Sequence, residues 1–244
     1  MADHARRSTA ADTAALLVSP LALIALLVLM AAIWLRGTLI ARLAGGFSTG
    51  ESSAAMIGLV SLALGLALQV LFAALQFALS RSLGGPPGSA RRPDVAIWLA
   101  LTVLAIIVAS VTSAIVPLLF MAGFADVARL PLIVGGAVVI VRLALFPLLA
   151  FLAGLAHAGR KDGFGALVGY LFGPGVGFIA TFAAVSLACV ALPVLMQQSG
   201  VSAGPALIVS AFTASLWQVS YLVLTIGAYR AFRLASDAPS GTFR

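Results

Sequence analysis

Six long apolar runs, separated by short polar stretches, organise this chain. They span roughly residues 14–35, 54–79, 95–121, 130–156, 176–196 and 203–228. About 20 mostly apolar residues suffice for a helix to cross about 30 Å of hydrocarbon. Lipid offers no hydrogen bonds, so a crossing segment must satisfy its own backbone, as a helix does. The pattern therefore predicts an all-α fold, a polytopic transmembrane helical bundle of about six spans. A polar N-terminal tail over 1–12 precedes a membrane domain over 13–233, and a C-terminal tail follows over 234–244.

The apolar stretch 164–196 is too long for one span. Its 33 residues would extend about 50 Å as a single helix at 1.5 Å per residue. Gly173-Pro174-Gly175 interrupts it, and proline suits a first helical turn better than an interior. The expected arrangement is a short interfacial helix over 162–172, then a span from about Pro174. Phe164, Leu167, Val168 and Leu171 fall on one face of the short helix. A second break, Gly84-Gly85-Pro86-Pro87-Gly88, separates the second and third runs.

Composition supports the membrane reading. The chain is 62% hydrophobic and only 9% charged, with mean hydropathy +1.17. A soluble domain carries about 25% charged residues, so much of this surface must face lipid. The +7 charge does not point to nucleic acid, because the basic residues are scattered between apolar runs. They are explained by topology. With six spans, Arg6, Arg7, Arg81, Arg91, Arg92, Arg160, Lys161, Arg230, Arg233 and Arg244 fall on one side, and Arg36, Arg42 and Arg129 on the other. Lys and Arg resist translocation, so both termini are expected in the cytoplasm. The run 14–35 exceeds a signal-peptide core of about 7–15 residues and reads as a retained span. Arginine outnumbers the single Lys161 thirteen to one, as in GC-rich bacterial genomes. The expected location is thus a bacterial cytoplasmic (inner) membrane.

Within this apolar frame a few polar residues are candidates for a site. Arg142 lies near the middle of the fourth run, where a charge costs about 2.5–3.5 kcal/mol. Asp126 is sixteen residues away, about 24 Å along a helix, and cannot pair with it. Arg142 should point into the bundle, either contacting an anion or bonding to carbonyls, Gln69, Gln76 or Gln218. Gln69 and Gln76, seven apart, share one helix face. Ser110, Thr112 and Ser113 mark the third run, and Ser215, Gln218 and Ser220 the sixth. Such groups can line a polar path or simply bond across helices. Gly165, Gly169, Gly173 and Gly177 recur every fourth residue and predict close helix packing, mostly within the chain. Trp34 and Trp98 read as interfacial anchors, and Trp217 as a packing residue. Pro117, Pro147 and Pro193 are expected to kink their spans. His157, Arg160, Lys161 and Asp162 read as a charged loop facing headgroups.

The sequence offers little for catalysis. It has one cysteine, Cys189, read as a small packing residue, and two histidines far apart, His4 and His157. No His-Glu-x-x-His, Gly-x-Ser-x-Gly or phosphate-binding loop occurs. No metal, cofactor or nucleic-acid partner is expected, and an enzyme using His157, Lys161 and Asp162 is the least favoured reading.

Val141-Arg142-Leu143-Ala144-Leu145-Phe146-Pro147, followed by the amphipathic segment 162–172 and Gly173-Pro174, resembles a pattern in six-span bacterial membrane families. These are the YciC-like proteins and the membrane domain associated with some glycerophosphodiester phosphodiesterases. The resemblance implies a six-helix, non-catalytic membrane domain. Two readings follow. The first is a non-enzymatic membrane protein acting through helix–helix contacts: a scaffold, assembly factor or complex subunit, with a membrane protein partner or a second copy of itself. The alternative is a transporter or channel subunit for a small solute or lipid, with Arg142, Gln69, Gln76 and Gln218 lining the path.

Overall fold

A computed structural model describes residues 13, 15–46, 51–85, 91–123, 130–159, 163–199 and 203–237. Within these ranges, some side chains lie outside the description, including those of 51–55, 112–123 and 130–135. All regular structure among the described residues is α-helical. The helices are α1 (Pro20–Gly46), α2 (Glu51–Leu83), α3 (Val95–Gly123), α4 (Leu130–Ala158), α5 (Phe164–Leu171), α6 (Val176–Gln198) and α7 (Ala203–Ser236). Four of them contain segments long and apolar enough to cross a membrane: Pro20–Ile40, Leu59–Leu83, Gly136–Ala158 and Leu207–Ser236. The bent pair Phe164–Leu171 and Val176–Leu192, meeting at 69°, makes a fifth if taken as one span. Large apolar side chains stand exposed along α1, α2, α3 and α6, for example Leu27, Leu59, Val103 and Leu187. Such a belt suits lipid, and the chain is a membrane-embedded helical bundle.

Two helices form the centre. Of the most apolar windows, 56% of that in α4 and 50% of that in α7 is buried, against 11% in α1 and 22% in α2. α4 packs against α2, α3, α5, α6 and α7, and α7 against α1, α2, α4, α5 and α6. The main core joins Phe146, Ala150 and Ala153 of α4 to Leu222, Ile226 and Tyr229 of α7. A second cluster places Trp98 of α3 against Ala73, Leu152 and Ala156.

Several boundaries differ from the hydropathy pattern, each for a local reason. Residues 13 and 15–17 are already helical, but a turn at Val18-Ser19 interrupts the run and the long helix starts at Pro20. Ser19 caps it, its Oγ accepting the Ala22 N–H at 3.2 Å, and Pro20 occupies the first turn. The same helix does not stop at Leu35 but continues to Gly46, so Arg36 and Arg42 stand on α1 rather than in a loop. At the other terminus α7 runs past Arg233 to Ser236, and Arg233 meets Asp237 at 3.2 Å. α4 continues through Pro147 as one helix. The break at Gly173-Pro174-Gly175 is where the sequence puts it, with Phe172–Gly175 as the turn. Gly175 is required there, because a Cβ would lie 2.6 Å from Tyr170 Cε1. Leu167 and Leu171 are buried as expected, whereas Phe164 is 44% exposed and meets Phe151 edge-on.

The last carbonyls of α4 have no partner within their own helix. Other parts of the chain supply donors. Asp94 N–H bonds the Leu155 carbonyl and Arg91 N–H the His157 carbonyl, both at 3.1 Å, and Arg81 Nη1 reaches the Ala156 carbonyl at 3.5 Å. Gly159 follows at φ +71, a conformation that favours glycine. His157 is consequently not part of an exposed loop. It lies buried in the last turn of α4, with Gly84 packed on its ring. Arg160, Lys161 and Asp162 lie outside the described residues. Trp98, expected as an interfacial anchor, is 7% exposed and packs against Phe77 at 4.9 Å. Trp34 is 46% exposed on α1.

Among the described residues, the repeating glycines do not pack against another helix. Apart from their own helix backbone, no described residue comes within 4 Å of a Cβ built on Gly165, Gly169 or Gly177, and at Gly173 only backbone of the same turn does. Close helix approach occurs instead at Gly154, where an added Cβ would collide with the Tyr229 ring, joining α4 to α7. The Gly154→Ala variant should therefore lose about 1–3 kcal/mol despite the better helix propensity of alanine. Gly165→Ala should be neutral or slightly stabilising. Thermal unfolding in detergent, followed by circular dichroism, checks both; equal melting of the two variants would contradict this packing.

Candidate functional site

Arg142 projects from α4 into the bundle and is 7% exposed. Its guanidinium carbon lies 5.2 Å from the ring centre of Phe72, 5.2 Å from Tyr221 and 5.9 Å from Trp217. Trp217 and Tyr221 are four residues apart on α7, so one face of that helix delivers both. Phe182 of α6 backs them, its ring 4.5 Å from Tyr221 and 6.5 Å from Trp217. Each aromatic face attracts a cation by roughly 0.5–2 kcal/mol. Three together match the roughly 2.5–3.5 kcal/mol cost of a central arginine. No described carboxylate is near: Asp94 lies beside Leu155, thirteen residues along α4, about 20 Å.

Hydrogen bonds fix the same region. Pro147 gives no N–H to the Leu143 carbonyl one turn back. Close by, α7 donates across: the Tyr221 hydroxyl bonds the Arg142 carbonyl at 2.7 Å. Gln76 Nε2 donates to the Leu149 carbonyl at 3.1 Å. Trp217 Nε1 donates to Ser186 Oγ at 2.8 Å, consistent with a packing role. Ser215 bonds back to its own helix, to the Ala211 and Phe212 carbonyls at 2.8 Å.

Two cavities adjoin this cage. The smaller, about 20 Å³, is lined by Arg142, Gln69, Gln76 and Thr102 among apolar neighbours. It has room for about one water. The larger, about 450 Å³, lies between α1, α2 and α7, with Ser110 of α3 also at its wall. Its polar lining is Arg36, Ser61, Gln69, Ser110 and Gln218; its apolar lining includes Leu29, Ile33, Leu62, Leu66 and Phe72. Ligand pockets commonly measure about 300–1,000 Å³. Gln69 and Phe72 form the wall shared by both cavities.

The structure thus brings together some of the candidate residues and separates others. Gln69 and Gln76 do share a face and reach the small cavity with Arg142. Gln218 opens on the large cavity instead, where Arg142 is absent from the lining. Thr112 and Ser113 have side chains outside the described residues. Gly165, Gly169 and Gly177 lie exposed on α5 and α6, away from both cavities. Cys189 is a half-buried free thiol.

The residue the sequence pattern missed is Arg36. It looks like the end of an apolar run, but it belongs to the candidate span Pro20–Ile40 and lines the large cavity. Its Nε is buried without a hydrogen-bond partner among the described residues. The signal available in the sequence was the Ser19-Pro20 start, which shifts the span toward Arg36. Tyr221 was also missed; its four-residue spacing from Trp217 was the clue. Among the described residues, no cluster of His, Cys, Asp or Glu could hold a metal ion.

Comparison of the chain with known protein families, with characterised proteins and with solved structures finds no match.

The cage makes a graded expectation. Tyr221→Phe keeps the ring and loses one hydrogen bond, at a cost of about 1 kcal/mol. Tyr221→Leu removes the ring from both the cation and Phe182, at a cost of about 3 kcal/mol. Unfolding of the full chain in mixed micelles measures both, and a Leu variant as stable as the Phe variant would rule out the ring's role.

Proposed function

We propose that this is a non-enzymatic multi-pass protein of the bacterial inner membrane that binds a small solute or lipid in its large intramembrane cavity, as a transporter or channel subunit does. The observation that carries this reading is the 450 Å³ space between α1, α2 and α7, where Arg36, Gln69 and Gln218 converge. Arg142, the first candidate from sequence, takes a supporting place, because three rings already surround it.

Six spans complete the reading. α3 is apolar over Val95–Val111 and continues to Gly123, 29 residues in all, which is long enough to cross. The charge asymmetry supports both termini in the cytoplasm. With Arg36 on a span, ten basic residues face the two that remain opposite, Arg42 and Arg129. Arg81 and Arg91 meet the end of α4, and Tyr170 packs against Phe232 beside Arg233. These contacts gather basic residues at one end of the bundle.

The contact-based reading, a scaffold or complex subunit, is supported by the open Gly165, Gly169 and Gly177 face. It offers no use for the cavity, so the binding reading takes precedence.

Two measurements test the proposal. A reporter fused after Arg244 should be active in the cytoplasm and silent in the periplasm; the reverse would overturn the orientation. Native mass spectrometry of the chain, purified in mild detergent and exposed to total bacterial lipid extract, should show about one retained small molecule per chain. Gly65→Leu should release it, since Gly65 borders the cavity beside Arg36. A chain that retains nothing, or a variant that retains as much, would count against the cavity.

A further inference from the structure

We infer that the large cavity is a site for an anionic oxygen group, a phosphate or carboxylate, with Arg36 as its counter-ion. The inference rests on the binding reading above and names the ligand class. Arg36 is the charged residue among those lining the cavity. The residue as a whole is half-buried, but its Nε–H is buried with no hydrogen-bond partner among the described residues, and an unpaired buried donor is a costly arrangement that an anion's oxygen relieves. Arginine also presents a planar fork of donors that matches phosphate and carboxylate oxygens in pairs.

No described carboxylate fills this role. Asp94 precedes Ser110 by sixteen residues along α3, about 24 Å. Asp237 follows Gln218 by nineteen, about 28 Å along α7. Glu51 starts α2 ten residues before Ser61, about 15 Å away along the axis. A second cation stands near: Arg142, across the wall made by Gln69 and Phe72. The local field is therefore positive.

The rest of the cavity suits the head of an amphiphile. Gln69 and Gln218 bring amide N–H donors, and Ser61 and Ser110 hydroxyls. Gly65 lacks a side chain where the guanidinium lies; a Cβ there would be 3.6 Å from Arg36 Nη2. Leu62 and Leu66 line the cavity and are 55% and 43% exposed. They form an apolar exit by which a tail reaches lipid while the head stays beside Arg36. Basic pockets between membrane helices hold lipid headgroups in this way.

The test uses the full chain in dodecyl maltoside, with native mass spectrometry and thermal unfolding as readouts. The probes are phosphatidylglycerol, phosphatidylcholine with the same tails, and inorganic phosphate. The wild-type chain should bind phosphatidylglycerol about ten-fold more tightly than phosphatidylcholine, because both carry the phosphodiester but the choline cation of the second is repelled by Arg36 and Arg142. Arg36→Gln should erase that preference, and Arg36→Lys should keep most of it. An Arg36-dependent stabilisation by inorganic phosphate supports the anion site and identifies a soluble oxyanion as its source; stabilisation by the lipid alone identifies a headgroup. A preference for phosphatidylglycerol that survives Arg36→Gln, or a wild-type chain indifferent to all three probes, overturns the inference. If both lipids bind equally, Gly65→Leu blocks both and Arg36→Gln blocks neither, the cavity reading stands and the anion assignment fails. Should Arg36→Gln not fold, Gly65→Leu carries the test, and an undiminished preference there is fatal to the site.

Discussion

A guanidinium held inside an apolar bundle, with no described carboxylate beside it, is the constraint around which this structure is arranged. Arg142 must meet something that welcomes positive charge without bringing in water. Three ring faces do so, from Phe72 on α2 and Trp217 and Tyr221 on α7. The arrangement demands that α2, α4 and α7 approach one another at one depth, and that α6 place Phe182 behind the rings. The Tyr221 hydroxyl then ties α7 to the α4 backbone at the same level. Packing, charge and backbone hydrogen bonding all converge on one layer of the fold.

A second layer is organised around the end of α4. Helix ends leave carbonyls without partners, and in a membrane protein these must lie at an interface or be bonded from elsewhere. Here Asp94, Arg91 and Arg81 bring the donors, so the start of α3 and the end of α2 are held against α4 by backbone need rather than by hydrophobic area alone. Asp94 serves twice, since its Oδ1 also accepts the Ile97 N–H at 3.4 Å and caps α3. The buried His157 ring under Gly84 belongs to this same junction.

Two arginines in the bundle thus have opposite characters. Arg142 is enclosed, and its charge is already compensated by aromatic faces. Arg36 borders an open space with its Nε–H unpartnered among the described residues. The first builds the fold; the second is available to a ligand. The difference comes from the neighbours, because the two residues sit in similarly apolar stretches of the chain.

That contrast shows where reading the chain stops and the fold begins. Hydropathy and length alone determine that the protein is helical and membrane-embedded, because lipid permits few ways to satisfy a backbone. Local chemistry determines the Gly173-Pro174-Gly175 bend, since proline and glycine act on their own turn. The buried position of Arg142 also follows from its place among apolar residues. What surrounds a side chain is another matter. Periodic glycines look like a packing surface, yet at Gly165, Gly169 and Gly177 the neighbouring space is open, while the isolated Gly154 meets Tyr229. Gln218 looks like a partner of Arg142, yet it joins Arg36 in a different cavity, and Gln69 lines both. Contacts of this kind link residues distant in sequence, and only the packing of α1, α2, α4 and α7 decides which faces meet.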